Sequence, residues 1–343
     1  MIFVTGGTGF VGAHLLYDLV SRGEKVRALK RPGSSVVRTA KIFSFYSIEY
    51  KQLMQNIEWV EGDLLDKDGL RLLLKGVDQI YHAAAIISFD PRERETMVQN
   101  NCEGTANIAD LALSLQIPQF CHISSVSAIG TPPDKSEANE EHPWHNNRDH
   151  SGYAESKYLS EMEVWRACLQ GLNVVIVNPS VIIGPDNWKS GSSILFSRTW
   201  KGMKFYTKGG TGFVDVRDVT TAIQRLMANE NWESTKNQRY ILNSENIHFR
   251  ELLNRIADCL SVKRPKFLAG NLLLNLACRL STLVSRIMHT PPFITCETAR
   301  SANNLNYYDG SKITRTIGFR YTPAADTIQN TSALFLKDIQ SKQ

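Results

Sequence analysis

The chain has 343 residues, of which 42% are hydrophobic and 21% charged, a composition typical of a globular protein and not of a disordered one. Its formal charge of +5 comes from 39 basic and 34 acidic residues that are interspersed, so the charge pattern does not predict a nucleic-acid partner. The six cysteines form no C-x-x-C pair and no cluster with histidine at zinc spacing. We therefore expect reduced thiols and no metal site.

Two parts of the sequence, its N-terminal residues and its most apolar stretch, bear on where the protein is located. The N-terminal residues run directly into a glycine turn, without the basic start or the cleavage site of a signal peptide, and we expect a cytoplasmic protein. The most apolar later stretch, Leu268 to Met288, is interrupted by Asn271, Asn275, Arg279 and Arg286. It therefore predicts a buried or groove-lining helix and no integral membrane segment.

Short β-rich runs alternate with helical patterns through the first two thirds of the chain. The predicted strands are Ile2–Thr5, Lys25–Leu29, Ile57–Val60, Gln79–His82, Gln119–Ser124 and Val174–Asn178. This alternation predicts an α/β fold, a doubly wound parallel sheet with helices on both faces and a ligand site at the carboxyl ends of the strands.

After Pro179 the alternation loosens and glycine-rich turns appear. We predict a dinucleotide-binding domain over residues 1–180, to which the chain returns at about 213–243. A smaller, mostly helical substrate lobe is predicted over 181–212 and 244–330. Within these later parts, Gly212–Arg217 has an extended pattern, Ile247–Leu260 has a helical one, and Pro291-Pro292 is a helix breaker.

A glycine-rich segment directly follows the first predicted strand. Residues Gly7 to Gly12 satisfy G-x-G-x-x-G and open a helix predicted over Val11–Ser21. Glycines permit a tight turn and a close approach of the backbone to a pyrophosphate, and the helix N-terminus favours that anion. A purely structural turn is the alternative, but strand, spacing and helix together favour a dinucleotide.

The end of the second predicted strand bears on the choice of cofactor. An acid that binds the adenosine ribose of NAD is expected about 20 residues beyond the glycines, but Lys30-Arg31 stand there, followed by Arg38. Cations suit a 2′-phosphate, so we favour NADP(H), with NAD(H) as the alternative if these are only surface charges. After the third strand, Asp63 is predicted either to bind adenine or to cap a helix starting near Leu65.

Tyr153 and Lys157 stand four residues apart at the start of a helix predicted to run to about Gln170, so both project from one face. A neighbouring lysine cation favours the phenolate and lowers the pKa of a tyrosine. Ser125, at the end of a strand, can orient a substrate oxygen. These groups suit interconversion of a ketone and a secondary alcohol, in which Tyr153 protonates the oxygen as a nicotinamide delivers hydride.

With these motifs the chain resembles the extended short-chain dehydrogenases/reductases, a group that also contains nucleotide-sugar epimerases and dehydratases. Thr5 to Gly12 matches its TGxxGFxG pattern and Tyr153 to Lys157 its YxxxK pattern. The other matching segments follow in family order: His82–Ala85, Asn101–Thr105, Ile123–Ser125, Asn178–Ser180 and Phe213–Asp218. The resemblance covers nearly the whole chain and implies a Rossmann fold.

The resemblance also implies roles for single residues. Ser125, Tyr153 and Lys157 are expected to be catalytic and Asn101 to support a proton relay, with Ser124 and Ser127 as alternatives to Ser125. Cofactor contacts are expected mostly through backbone atoms. Beside the three cations named above, they are Gly6, Thr8, Gly9, Phe10, Val11, Gly12, Asp63, Leu64, Ala83, Ala84, Ala85, Tyr153, Lys157, Pro179 and Ser180.

Three features resemble the dihydroflavonol-reductase-like and hydroxysteroid-dehydrogenase-like branch of the group: Lys30-Arg31, the run Val181–Pro185, and the leucine-rich stretch before Thr290–Phe293. An apolar second lobe suits a bulky, weakly polar small-molecule ketone.

Two other functions remain open from the sequence. One is a nucleotide-sugar epimerase, dehydratase or reductase, whose diphosphate clamp would be Arg198, Lys201, Lys204, Lys208 and Arg217. The other is a non-catalytic NAD(P)-binding regulator, which the presence of both Tyr153 and Lys157 disfavours. The resemblance further implies a homodimer packed through the helices around Met97–Leu115 and Tyr153–Gln170.

Overall fold

The structure, a computed structural model, describes residues 1–88, 90–132, 136–144, 150–270, 273–274, 278, 281 and 302–341. The first half of the chain alternates strands and helices: β1 (Ile2–Thr5), α1 (Phe10–Ser21), β2 (Val26–Lys30), α2 (Val37–Tyr46), α3 (Tyr50–Gln55), β3 (Ile57–Glu61), α4 (Lys67–Leu73), β4 (Gln79–His82), α5 (Arg94–Ser114), β5 (Gln119–Ile123), α6 (Gly152–Leu169) and β6 (Val174–Pro179). Short 3-10 turns cover Pro91–Glu93 and Val126–Ala128.

The second half has shorter elements: β7 (Val181–Ile183), α7 (Ile194–Trp200), β8 (Phe205–Tyr206), β9 (Gly210–Asp215), α8 (Val216–Leu226), α9 (Asn229–Thr235), β10 (Gln238–Leu242), β11 (Glu245–His248), α10 (Phe249–Cys259), β12 (Phe267–Leu268), β13 (Leu305–Asn306), α11 (Ser311–Ile317) and α12 (Ala324–Gln340).

Seven parallel strands form the central sheet in the order β3-β2-β1-β4-β5-β6-β10. The predicted doubly wound fold is therefore confirmed, and the strand order reverses between β1 and β4, where a crevice opens at the carboxyl ends. Strands β1 and β6 are buried along their whole length, as continuous apolar runs in a covered parallel sheet should be. One face packs on α1 and α8 and the other on α5 and α6.

A smaller sheet is built around β9, which pairs antiparallel with β11 and parallel with β7 and β13. Its core includes Ile183, Phe196, Leu252 and Phe335, contributed by β7, α7, α10 and α12. Strand β10 lies at the edge of the large sheet beside β6. The division into two domains with the boundaries given above stays a prediction.

Two predicted elements in this part have different boundaries in the structure. The helix predicted over Ile247–Leu260 begins only at Phe249, because Ile247 pairs with Thr211 as part of β11. The extended stretch predicted to reach Arg217 ends at Asp215, whose side chain accepts a hydrogen bond from the Arg217 N–H and caps α8.

The helix predicted from Leu268 is wrong at its first residue, which lies in β12 paired with β8. Most of the rest of that segment, and the Thr290–Phe293 run, lie outside the described residues. None of the described helices is long and apolar enough to cross a membrane.

Four cysteines have the reduced thiols that the sequence predicts. Cys102, Cys121, Cys168 and Cys259 are free thiols. The expectation of a reduced thiol is wrong for Cys278, which is disulfide-bonded. Spacing along the chain could not reveal this bond, because pairing depends on distance in the folded protein.

Candidate active site

The glycine turn between β1 and α1 is too crowded for side chains. Gly6 has φ +73°, and a Cβ there would lie 2.6 Å from the Ala84 nitrogen. A Cβ on Gly12 would lie 2.2 Å from the Gly6 carbonyl oxygen. Helix α1 starts after Gly9, where no side chain of the described residues caps it and no acid stands in its first turn. The Gly9 N–H donates to the Gly6 carbonyl at 2.8 Å, but the N–H groups of the first turn of α1 remain available to an anion, so the turn fits the pyrophosphate of a dinucleotide.

A groove of about 620 Å³ lies along the carboxyl ends of β1, β2, β3 and β4. Most of the predicted cofactor residues line it: Gly6, Thr8, Gly9, Lys30, Arg31, Arg38, Asp63, Leu64, Ala83, Ala84, Ala85 and also Asn101. The lining also contains residues that sequence reasoning missed: Leu29, Gly62, Leu65, Ile86, Ile87 and Asn100. Each lies within two residues of a predicted residue at a strand end or on α5, so the strand-end rule could have included them.

Some predicted cofactor residues lie outside the groove lining. Phe10, Val11 and Gly12 belong to the first turn of α1, and the Phe10 ring packs edge-on against His14. Pro179 ends β6, and Ser180 follows it, buried. The backbone N–H of Ser180 donates to Leu242.

The three predicted phosphate-binding cations have different surroundings. Lys30 forms a salt bridge with Glu61 on the neighbouring strand. Arg38 donates two hydrogen bonds to Asp186, of 2.9 and 2.5 Å. Arg31 is exposed and has no side-chain partner among the described residues. Of these three cations, Arg31 is therefore the one that is not already paired with a carboxylate of the described residues.

Asp63 does not cap a helix. Its carboxylate accepts a hydrogen bond of 3.0 Å from the Leu65 N–H, whereas Asp66 caps α4 by accepting from Gly69. The helix-cap alternative for Asp63 is therefore wrong, because α4 begins two residues later than the sequence suggested. Asp63 lines the groove, where a carboxylate is a suitable acceptor for a ligand amino group.

The predicted catalytic residues meet at the carboxyl end of β5. Ser151 caps α6 and so places Tyr153 in its first turn, half-buried and hydrogen-bonded to Ser125. Lys157 lies one turn further on, 5% exposed, and its Nζ donates to the Ile123 carbonyl at 2.9 Å. A phenol, a hydroxyl and an ammonium group are thus gathered around one strand end.

Burial dominates the electrostatics of this cluster. It raises the pKa of Tyr153, while the hydrogen bond with Ser125 lowers it by a smaller amount. Burial also lowers the pKa of Lys157 to about 8, against the opposing attraction of Glu161. At neutral pH the phenol holds its proton and the lysine its charge.

Of the three candidate serines, Ser125 is the one hydrogen-bonded to Tyr153. The Ser124 hydroxyl donates to Glu161 at 2.7 Å, and Ser127 lies on the following 3-10 turn, where its N–H donates to the Ser125 hydroxyl. This arrangement favours Ser125 beside Tyr153. Asn101 is bound to Ile86 through two hydrogen bonds, of 2.7 and 2.9 Å, and to Ser156 at 3.2 Å. It fixes the loop after β4 above the groove.

One buried carboxylate beneath the cluster was missed by sequence reasoning. Glu161 is fully buried and accepts hydrogen bonds from Ser124, Asn178, Trp165 and Arg239. Its position four residues after Lys157 on a predicted helix was the available signal, because that spacing places both residues on one face.

Two cations of the possible diphosphate clamp lie at opposite ends of β9 and do not converge. Lys208 lies just before the start of β9, whereas Arg217 lies beyond its end and pairs with Asp215. A strand of this length separates its ends by roughly 20 Å. Lys208 instead lines a second cavity, of about 480 Å³, with Tyr206, Thr207, His248, Arg250, Glu251, Asn254 and Leu268.

Comparisons with known proteins agree with this geometry. Residues 2–240 match the NAD dependent epimerase/dehydratase family. A putative dihydroflavonol 4-reductase of Synechocystis sp. is 34% identical over 324 residues, covering 92% of this chain and 89% of that protein. The crystal structure of gox2253 is 29% identical, with a TM-score of 0.79 and 98% of each chain covered.

A UDP-glucose 4-epimerase of Thermotoga maritima, solved with UDP-glucose, has a TM-score of 0.76 over 98% of this chain and 99% of its own. At 18% identity it shows the fold alone. The relatives and the family together indicate hydride chemistry on CH–OH and C=O groups with a nicotinamide cofactor. The chain belongs to the NAD dependent epimerase/dehydratase family and is an NAD(P)-dependent oxidoreductase.

Proposed function

We propose that this chain is an NADPH-dependent ketoreductase that converts a bulky, weakly polar ketone into a secondary alcohol and catalyses the reverse oxidation. The observation that carries the proposal is the cluster of Ser125, Tyr153 and Lys157 at the end of β5, beside a groove that fits a dinucleotide. The 34% identity to a protein named as a reductase supports the assignment of this chain as a reductase.

A nicotinamide cofactor supplies hydride to the carbonyl carbon when it is bound. Ser125 donates a hydrogen bond to the substrate oxygen and orients it. Tyr153 transfers its phenolic proton to that oxygen, and the raised pKa of the buried phenol ensures that the proton is present at neutral pH. Lys157, held at the Ile123 carbonyl, stabilises the phenolate that remains.

Substitution of Tyr153 tests the acid. We expect Tyr153→Phe to lower turnover by roughly 100-fold or more, the usual contribution of a general acid, while affinity for NADPH is retained. Tyr158→Phe is the matched control, because this phenol lies on the same helix but stacks on Trp144. Substantial turnover by Tyr153→Phe would show that another group supplies the proton.

The substrate class is tested by following loss of NADPH absorbance with aromatic ketones, steroid-like ketones and nucleotide sugars in parallel. Turnover of the apolar ketones supports the proposal. Turnover of nucleotide sugars alone would favour the epimerase or dehydratase alternative, with Lys208 and Arg250 of the second cavity as phosphate ligands. Cofactor binding without any turnover would favour a regulator.

The proposed preference for NADPH depends on Arg31, the groove cation without a competing carboxylate. Arg31→Ala should weaken binding of NADPH much more than that of NADH, measured by titration calorimetry. Lys25→Ala is the matched control, since Lys25 is also exposed and precedes the opposite end of the same strand. Tighter binding of NADH than of NADPH by the unmodified protein would refute the preference.

We also propose a homodimer that packs through α5 and α6, the two helices that lie together on one face of the sheet. Leu169, at the end of α6, is 90% exposed in the single chain. Light scattering should give the mass of two chains, and a monomer mass across a wide range of concentration would refute this.

A further inference from the structure

The buried carboxylate of Glu161 lies directly beneath the proposed catalytic cluster. None of its side chain is exposed. One oxygen accepts from the Ser124 hydroxyl at 2.7 Å and from Asn178 at 2.8 Å, and the other accepts from Arg239 and Trp165 at 3.2 and 3.3 Å. A buried charge of this kind is costly unless it is fully paired, and here each oxygen has two donors.

These contacts connect Glu161 to the backbone of the serine predicted to bind substrate. Ser124 precedes Ser125 in the chain, and its hydroxyl is anchored on Glu161. Asn178, at the end of β6, uses one amide nitrogen for both Glu161 and the Ser125 carbonyl, at 2.8 and 3.0 Å. Helix α6 and strands β5 and β6 are therefore joined at one carboxylate beside Ser125.

Glu161 also follows Lys157 by one helical turn. We propose that Glu161 is a positioning residue for carbonyl reduction, which holds the Ser125 backbone through Ser124 and Asn178 and keeps the neighbouring Lys157 ammonium charged. The proposal rests on the proposed function, since it assigns Glu161 to the same reaction.

The groups that face Lys157 support the electrostatic part of this role. Tyr153 and Glu161 lie on its own helix, His82 on β4 and His122 on β5. Burial and the charge of Lys157 lower the pKa of both histidines, so at neutral pH they are uncharged and do not compete with it. Arg239 reaches the cluster from β10 but donates to Glu161.

Burial lowers the pKa of Lys157 to about 8, and the negative charge of Glu161, one helical turn away, opposes this lowering. Glu161→Gln should therefore move the pKa of Lys157 down by about one unit, the lower end of the effect of a nearby opposite charge. The charged ammonium is lost as pH rises through this pKa. The alkaline limb of the pH profile of kcat for ketone reduction should then move to lower pH by the same amount.

The pKa is measured directly by ¹³C NMR titration of labelled lysine in the protein without cofactor, with the Lys157 signal assigned by its loss in Lys157→Met. Glu163→Gln is the matched control, because this carboxylate lies on the same helix but pairs with Arg166 at the surface. We expect the shift in Glu161→Gln only. An unchanged Lys157 midpoint, or an equal shift in Glu163→Gln, would overturn the electrostatic role.

A separate variant tests whether Glu161 holds the Ser125 backbone in place. Asn178→Ala breaks the link between Glu161 and the Ser125 carbonyl without removing a charge, and it should lower kcat while leaving the Lys157 midpoint and the affinity for NADPH unchanged. Wild-type kcat in a folded Asn178→Ala protein would overturn this part.

Loss of Glu161 removes the ion-pair partner of the partly buried Arg239, which can destabilise the fold. The double variant Glu161→Gln/Arg239→Gln removes both charges and should still show the lowered Lys157 midpoint. A wild-type midpoint in the folded double variant overturns the proposal. Turnover by Tyr153→Phe would instead refute the proposed mechanism, so the two failures are distinguishable.

Discussion

Lowering the pH should destabilise the fold through two histidines buried next to the site. His82 and His122 occupy paired positions on β4 and β5, their rings stack at 5.4 Å, and each is 1% exposed. His82 is hydrogen-bonded to Thr5 and Thr105. Both ring nitrogens of His122 lack a hydrogen-bond partner among the described residues. Burial lowers the pKa of His82 to about 3 and that of His122 well below its usual value.

The sign follows from the difference between folded and unfolded states. The unfolded chain takes up a proton at each histidine as the pH falls through about 6.5, whereas the folded chain does not, so stability is lost as the pH falls. At about pH 5 each histidine costs about 2 kcal/mol, because one pKa unit corresponds to about 1.4 kcal/mol. The pair then removes about 4 kcal/mol, a large part of the 5–15 kcal/mol that usually holds a domain folded.

Urea unfolding at about pH 7.5 and about pH 5 measures this loss. His122→Leu removes the ring whose nitrogens are unpaired, so we expect it to lose about 2 kcal/mol less than the wild type between the two pH values. Carboxyl groups with raised pKa, such as Asp18 and Asp218, act in the opposite direction but equally in both proteins. His248→Leu, at an exposed site, should leave the loss unchanged. Equal losses in wild type and His122→Leu would refute the reasoning.

Two further predictions concern the cofactor groove. Gly12→Ala should abolish measurable NADPH binding in calorimetry and lower the melting temperature, because the new methyl group would lie 2.2 Å from the Gly6 oxygen; retained affinity would show that the turn can widen. Asp186→Asn should raise the affinity for NADPH relative to NADH, because it releases Arg38 from its carboxylate partner toward the groove. An unchanged ratio of the two affinities would exclude Arg38 as a phosphate ligand.

The central sheet was predictable because its signals are local. Strands β1 and β4 have the predicted boundaries, β3, β5 and β6 differ by one residue at one end, and β2 is shifted by one residue at both ends. In each case a short apolar run is bounded by turn residues and followed by a helical pattern, which is the information that a βαβ unit requires. The glycine turn was predictable for the same reason, since it joins β1 to α1 directly.

The ion pairs of the groove were not predictable from the sequence. Arg38 meets Asp186, which is 148 residues away in the chain, and Lys30 meets Glu61 only because β2 and β3 are neighbours in register. Ile247 was assigned to a helix because its apolar neighbours fit a helical period, whereas pairing with β9 places it in a strand. These two ion pairs and the strand assignment of Ile247 depend on contacts between segments that are distant in the chain, and a local sequence pattern does not reveal such contacts.

The parts of the candidate site therefore differ in how far apart their residues lie in the chain. Its proposed reacting groups come from the end of β5 and the first two turns of α6, and the spacing of Tyr153 and Lys157 is fixed within one helix. The predicted substrate lobe includes β7 and β11, which meet through β9 only after folding. A short motif can thus specify hydride and proton transfer to a carbonyl, while the choice of ketone depends on contacts between distant segments, and this is why the substrate screen must accompany the Tyr153 variant.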